Sequence, residues 1–105
     1  MGYAKERGKL EKLATKVKGL TTYDEKSLAF IKDIYEQYSH TVRILKNKNL
    51  EAFQAVYLNE LPELKLAKNA FKVSEESERQ GNFIKFKDAL SASLNSVITL
   101  SKKAQ

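Results

Sequence analysis

Cysteine is absent from these 105 residues, so neither a disulfide framework nor a thiolate zinc site can form, and thiol chemistry is excluded. Tryptophan is also absent, and the chain has one proline, four glycines and one histidine. Gly2, Gly8, Gly19 and Gly81 are isolated, with no strand to feed any of them, which excludes a glycine-rich phosphate loop. A single histidine, with no thiol and no strained serine elbow, gives no nucleophile and base to pair. No apolar run reaches membrane-spanning length. The N-terminal charges are followed by no apolar stretch, so a secretory leader is not expected and the chain reads as cytoplasmic. Neither enzymatic activity nor a bound cofactor is expected.

What remains is a chain of single-domain length whose 42% hydrophobic share can supply one core. Its apolar residues recur at helical spacing throughout, which predicts an all-α fold over residues 1–105. A first helix over about 3–18 puts Leu10, Leu13, Val17 and Leu20 on one stripe, with Gly19 as its stop. Thr22 and Glu25 have the spacing of a capping box and open a second helix that runs to about Lys46. Leu28, Ile31, Tyr35, Tyr38, Val42 and Leu45 form its seam, which Phe30, Ile34 and Ile44 widen enough to meet two neighbours.

Asn47 or Asn49 caps a third helix, in which Phe53, Tyr57, Leu61, Leu64, Ala67 and Phe71 stay in phase. Pro62 lies in its middle, where a missing amide and a crowded preceding turn predict a kink. The polar stretch from Ser74 to Arg79 is expected as an exposed turn before Gly81. Asn82 then caps a fourth helix with Phe83, Phe86, Leu90, Leu94 and Val97 buried, while Ala89, Ala92, Ser93 and Ser96 permit close approach. Short connections between long helices imply a single antiparallel four-helix bundle.

The net charge of +6 is unevenly spread: +4 in residues 1–20, +1 in 21–50, −2 in 51–80 and +3 in 81–105. Lys5, Lys9, Lys12 and Lys16 repeat at intervals that place them on one strip of the first helix, about a quarter turn from its apolar stripe. They begin at the positive end of the helix dipole, where cations are mildly disfavoured, so the dipole does not explain them. Lysine-rich strips of this kind suit attraction to phosphate backbones more than base reading. Lys65, Lys68 and Lys72 make a second strip and join the candidate nucleic-acid-binding residues. Arg43, Lys46 and Lys48 crowd the end of the second helix, where the dipole alone favours cations.

Asp33, Glu36 and His40 share one helix face, but a metal site in a bundle draws ligands from several helices, so the trio is expected as a surface cluster. Tyr35, Tyr38 and Tyr57 fall in apolar stripes and read as core; Tyr3 and Tyr23 lie off-stripe and stay open.

Gly19-Leu20-Thr21-Thr22 before a long helix, Glu60-Leu61-Pro62-Glu63-Leu64-Lys65, and a final helix with Phe83 and Phe86 resemble the small helical subunits of multi-subunit CRISPR interference complexes. The resemblance extends loosely over the chain, which is shorter than many such subunits. It implies a non-catalytic basic bundle that joins other subunits and contacts target strand or guide duplex through the backbone. It transfers no binding positions, so the lysines above stand on this sequence alone. The length and composition are also similar to those of bacteriocin immunity proteins, which act by protein recognition. A phage or plasmid accessory protein that binds a host enzyme fits the same features.

Overall fold

The computed structural model describes residues 3–20 and 24–103, whose regular structure is helical with no strand among them. The elements are α1 (Ala4–Lys18), α2 (Glu25–Lys48), α3 (Leu50–Ala55), a wide π turn (Val56–Glu60), α4 (Leu61–Lys72) and α5 (Glu76–Lys103). Because α3, the π turn and α4 run on without a break, they form one helical unit, and four such units make up the fold. At 1.5 Å per residue, α5 is about 42 Å long, nearly the whole 46 Å length of the molecule. It packs against α1 on one side and α4 on the other, while α2 packs against α1 and α3. Among the described residues, no helix is long and apolar enough to cross a membrane.

The core follows the apolar periodicity. Leu10, Leu13, Val17 and Leu20 are buried, as are Ile31, Ile34, Tyr35, Tyr38, Val42 and Leu45 of α2 and Phe83, Phe86, Leu90, Leu94 and Val97 of α5. Each such Leu, Ile or Phe withdrawn from water contributes about 1.5–3 kcal/mol. One end of the core is aromatic: Phe71 packs 5.6 Å from Phe83 and 6.2 Å from Phe86, and Phe86 lies 6.0 Å from Tyr35. At the other end Tyr3 meets Phe53 edge-on at 5.4 Å. Tyr3, off the predicted stripe, is therefore a core residue; its hydroxyl accepts a hydrogen bond from Asn49 Nδ2 at 3.1 Å. Phe30 departs the other way. It is 39% exposed, so it does not widen the α2 seam as Ile34 does.

Caps set the boundaries. Asp24 caps α2 by accepting the Ser27 amide at 2.7 Å, and the expected cap Thr22 lies outside the described residues, as does Tyr23. Asn49 caps α3 through the Ala52 amide at 3.1 Å. Pro62 cannot donate to the Leu58 carbonyl and would crowd it in a regular α turn. The chain widens just ahead of it instead, where the Leu61 amide bonds the Val56 carbonyl five residues back. This extra residue shifts the buried phase. Val56 is buried, while Tyr57, expected in the core, is only half-buried.

The junction before α5 corrects the expected boundary. The helix starts at Glu76, so Glu76–Arg79 form its first turn and Gly81 lies inside it. Asn82 is not a cap. Its Nδ2 donates to Ser74 Oγ, which itself donates to the Ala70 carbonyl at 2.6 Å. Arg79 Nε donates to the Ser74 carbonyl at 3.1 Å. Buried Ser74 thereby joins the end of α4 to the first turns of α5 and makes a short connection sufficient. No glycine among the described residues has positive φ, so Gly81 is not needed for a turn.

Candidate nucleic-acid interface

Lys5, Lys9, Lys12 and Lys16 are all exposed along α1. Each precedes one of Glu6, Leu10, Leu13 and Val17, the buried stripe, so the strip borders the core as the spacing requires. Glu6, a carboxylate in that stripe, was not anticipated as buried. It forms an ion pair with Lys48 at the end of α2, and this hydrogen bond holds its carboxyl below the usual carboxylate range against the opposing effect of burial. Lys5 and Lys9 line the adjoining cleft with Glu6 and Lys48. Lys9 also borders the next cleft along, with Asp33, Glu36, Gln37 and His40, where Asp33 accepts a hydrogen bond from Gln37 Nε2 at 2.6 Å. The α1–α2 groove is thus mixed in charge.

The opposite flank of α2 is not. Counting 100° per residue, Lys32, Tyr35, Ser39, Arg43 and Lys46 fall on one strip of α2, turned toward α4. A cleft of about 550 Å³ between the two helical units is lined by Tyr35, Ser39, Arg43, Tyr57, Lys65 and Lys68, with Leu58, Leu61 and Pro62 as its apolar part. A second cleft, nearer the start of α2, is lined by Leu28, Lys32, Phe71, Lys72 and Arg79. Among the described residues neither lining contains a carboxylate.

Two tyrosine rings support ammonium groups along this seam. Lys68 Nζ lies 4.9 Å from the Tyr35 ring centroid and Lys46 Nζ lies 4.0 Å from that of Tyr57. Such contacts contribute about 0.5–1 kcal/mol each at exposed sites. They hold long side chains at the groove edge and so lower the entropy lost when an anion is bound there. From Lys32 to Lys46 the seam extends about 21 Å at 1.5 Å per residue. One strand of a duplex carries about six phosphates over that length, at 3.4 Å each.

The structure therefore divides the candidate residues. Lys65, Lys68 and Lys72 join Lys32, Arg43 and Lys46 on one seam, whereas Lys5 and Lys9 face a groove that also holds carboxylates. Arg43 and Lys46, accounted for in the sequence by the helix dipole alone, belong with α4. At 100° per residue they share a strip of α2, but only α4, set across the cleft from it, supplies the other half. No protein family, characterised protein or solved structure was found to match the chain.

Proposed function

We propose that the chain is a single antiparallel four-helix bundle, bent at Pro62 in its third helical unit, that serves without catalysis as a cytoplasmic nucleoprotein subunit. It contacts nucleic-acid backbone through the α2–α4 seam. The observation that carries this is the alignment of Lys32, Arg43, Lys46, Lys65, Lys68 and Lys72 along clefts without a carboxylate in their lining. Lysines held over tyrosine rings offer positioned point charges that suit phosphates more than base edges. The resemblance to small subunits of CRISPR interference complexes suggests a target strand or guide duplex as ligand and other subunits as partners. Pairing of Glu6, near the start of α1, with Lys48, at the end of α2, supports the antiparallel arrangement. The wide turn ahead of Pro62 supports the bend.

Fluorescence anisotropy with a labelled single-stranded oligonucleotide at low salt tests this reading. Binding should weaken at least about tenfold in Arg43→Gln/Lys65→Gln/Lys68→Gln, since each lost cation removes a phosphate contact. Absence of binding, in the isolated protein and in its native complex, would refute it.

Leu58, Leu66 and Val73 favour a second reading. They are 55%, 69% and 79% exposed on the same helical unit, beside the basic seam, and apolar side chains so placed suit a protein partner. A protein-recognition bundle, of the immunity-protein or accessory kind, would co-purify with a stoichiometric protein partner after nuclease treatment and bind no oligonucleotide.

A further inference from the structure

The larger α2–α4 cleft holds more than cations. Arg43 comes from α2 and Lys65 and Lys68 from α4, but Tyr57, Leu58, Leu61 and Pro62 share the lining with them. A phosphate backbone laid along the seam uses the cations and leaves this apolar part in water. Leu58, at 55% exposed, and the exposed Pro62 are therefore not explained by backbone contact alone. The cleft's volume of about 550 Å³ also lies within the range of about 300–1,000 Å³ typical of sites that enclose a small ligand.

The wide turn supplies a second, independent feature. It spans Val56–Glu60 and so contains Tyr57 and Leu58, and its extra residue turns Tyr57 out of the core phase it would otherwise keep. Turns of this kind occur frequently at functional sites. Here the result is a half-buried aromatic ring beside an exposed leucine, both facing the basic cleft. Lys46 Nζ lies 4.0 Å from the Tyr57 ring centroid, yet among the described residues Lys46 does not line the cleft. Another part of the ring is thus left to the cleft.

We propose, resting on the nucleic-acid reading above, that this cleft takes one unstacked base of a single strand, with the adjoining phosphates on Arg43, Lys65 and Lys68. A base has an apolar π face that suits the Tyr57 ring and the wall of Leu58, Leu61 and Pro62, while its phosphates suit the cations. One nucleotide thereby uses both halves of the lining. In a duplex the bases are paired and stacked inside, so sugars and phosphates alone would meet the cleft; a single strand can splay a base into it. Contact through ring faces is tolerant of sequence, because every base has one. A free nucleotide presents the same ring and phosphate, but it would leave Lys32, Lys46 and Lys72, farther along the seam, without an anion.

Fluorescence anisotropy of the full chain tests this with two strands of equal length and phosphate number, an oligothymidylate and one with abasic sugars throughout. The oligothymidylate should bind about fivefold tighter or more at the same salt concentration. Tyr57→Ala should remove most of that preference. Any loss of support for Lys46 weakens both strands alike, so the difference between them reports the base. Leu58→Gln, at an exposed position and so compatible with folding, should reduce the preference by about twofold. Thymidine monophosphate should compete at least about tenfold more weakly than the strand, since it meets fewer of the seam's cations. Equal affinity for the two strands overturns the base site and leaves the backbone reading standing, whereas failure of both to bind refutes that reading itself. A preference unchanged in both variants also overturns the base site, and competition by the mononucleotide as strong as by the strand overturns the assignment to a strand.

Discussion

Glu6 and Lys48 join the first turn of α1 to the last turn of α2, and the two partners differ in burial: the Glu6 side chain is 7% exposed and that of Lys48 is 49% exposed. The pairing draws Lys48 toward α1 and away from Arg43 and Lys46, which it adjoins in sequence. One cationic cluster at a helix end is thereby divided between two grooves of different character.

Replacing Lys48 by Met should leave the Glu6 carboxylate buried without its partner. The loss at neutral pH is about 1 kcal/mol, at the low end for a stranded buried charge because Lys48 is half in solvent. The pH dependence gives the sign. Glu6 has a folded pKa below its usual 4.5, so its contribution is full above that value and is lost as pH falls through the folded pKa. Without Lys48 the main lowering influence is gone while burial still opposes the charge, so the variant should lose less stability as pH falls through this range. Urea melts of both proteins across pH 3–7 should therefore converge at acid pH.

Gly81→Ala should stabilise the protein by about 0.5–1 kcal/mol, the difference in helix propensity at an interior position. A Cβ at this position meets nothing within 4 Å. Thermal melts check it, and they also test the start of α5: in a loop ahead of an Asn82 cap, the same change would bring no propensity gain.

Tyr38→Phe should be neutral or stabilising by up to about 1 kcal/mol, because it removes a buried hydroxyl without a partner. The folded pKa of this phenol is raised. Its contribution is present below the unfolded value, about 10, and declines as pH rises above it. The variant should accordingly lose less stability than the parent between neutral pH and pH 11, measured by guanidinium melts.

The heptad seam of α2 and the stripes of α1 and α5 were legible because each follows one unbroken period. Val56 and Tyr57 were not, since an inserted residue ahead of Pro62 shifts the phase and no local pattern announces a π turn. Gly81 misled for a related reason. Glycine reads as a stop, but Ser74, bonded to Ala70 and Asn82, had already made the connection. Of the site, the strip Lys65, Lys68 and Lys72 was visible, as were Arg43 and Lys46. Their union was hidden because it depends on packing between helices distant in sequence. The carboxylates opposite Lys5 and Lys9 were hidden likewise, as Glu6 lies in a buried stripe that periodicity reserves for apolar side chains.

The salt dependence of oligonucleotide binding tests the central claim most directly. If the six seam cations each neutralise a phosphate of a single strand, log affinity should fall with log salt at a slope of about −4. Arg43→Gln/Lys65→Gln/Lys68→Gln should make that slope shallower by about 2 units, while Lys5→Gln/Lys9→Gln/Lys12→Gln/Lys16→Gln should change it less. An unaltered slope in the seam variant, with the slope lost in the α1 variant, would contradict the account and place the contact on α1.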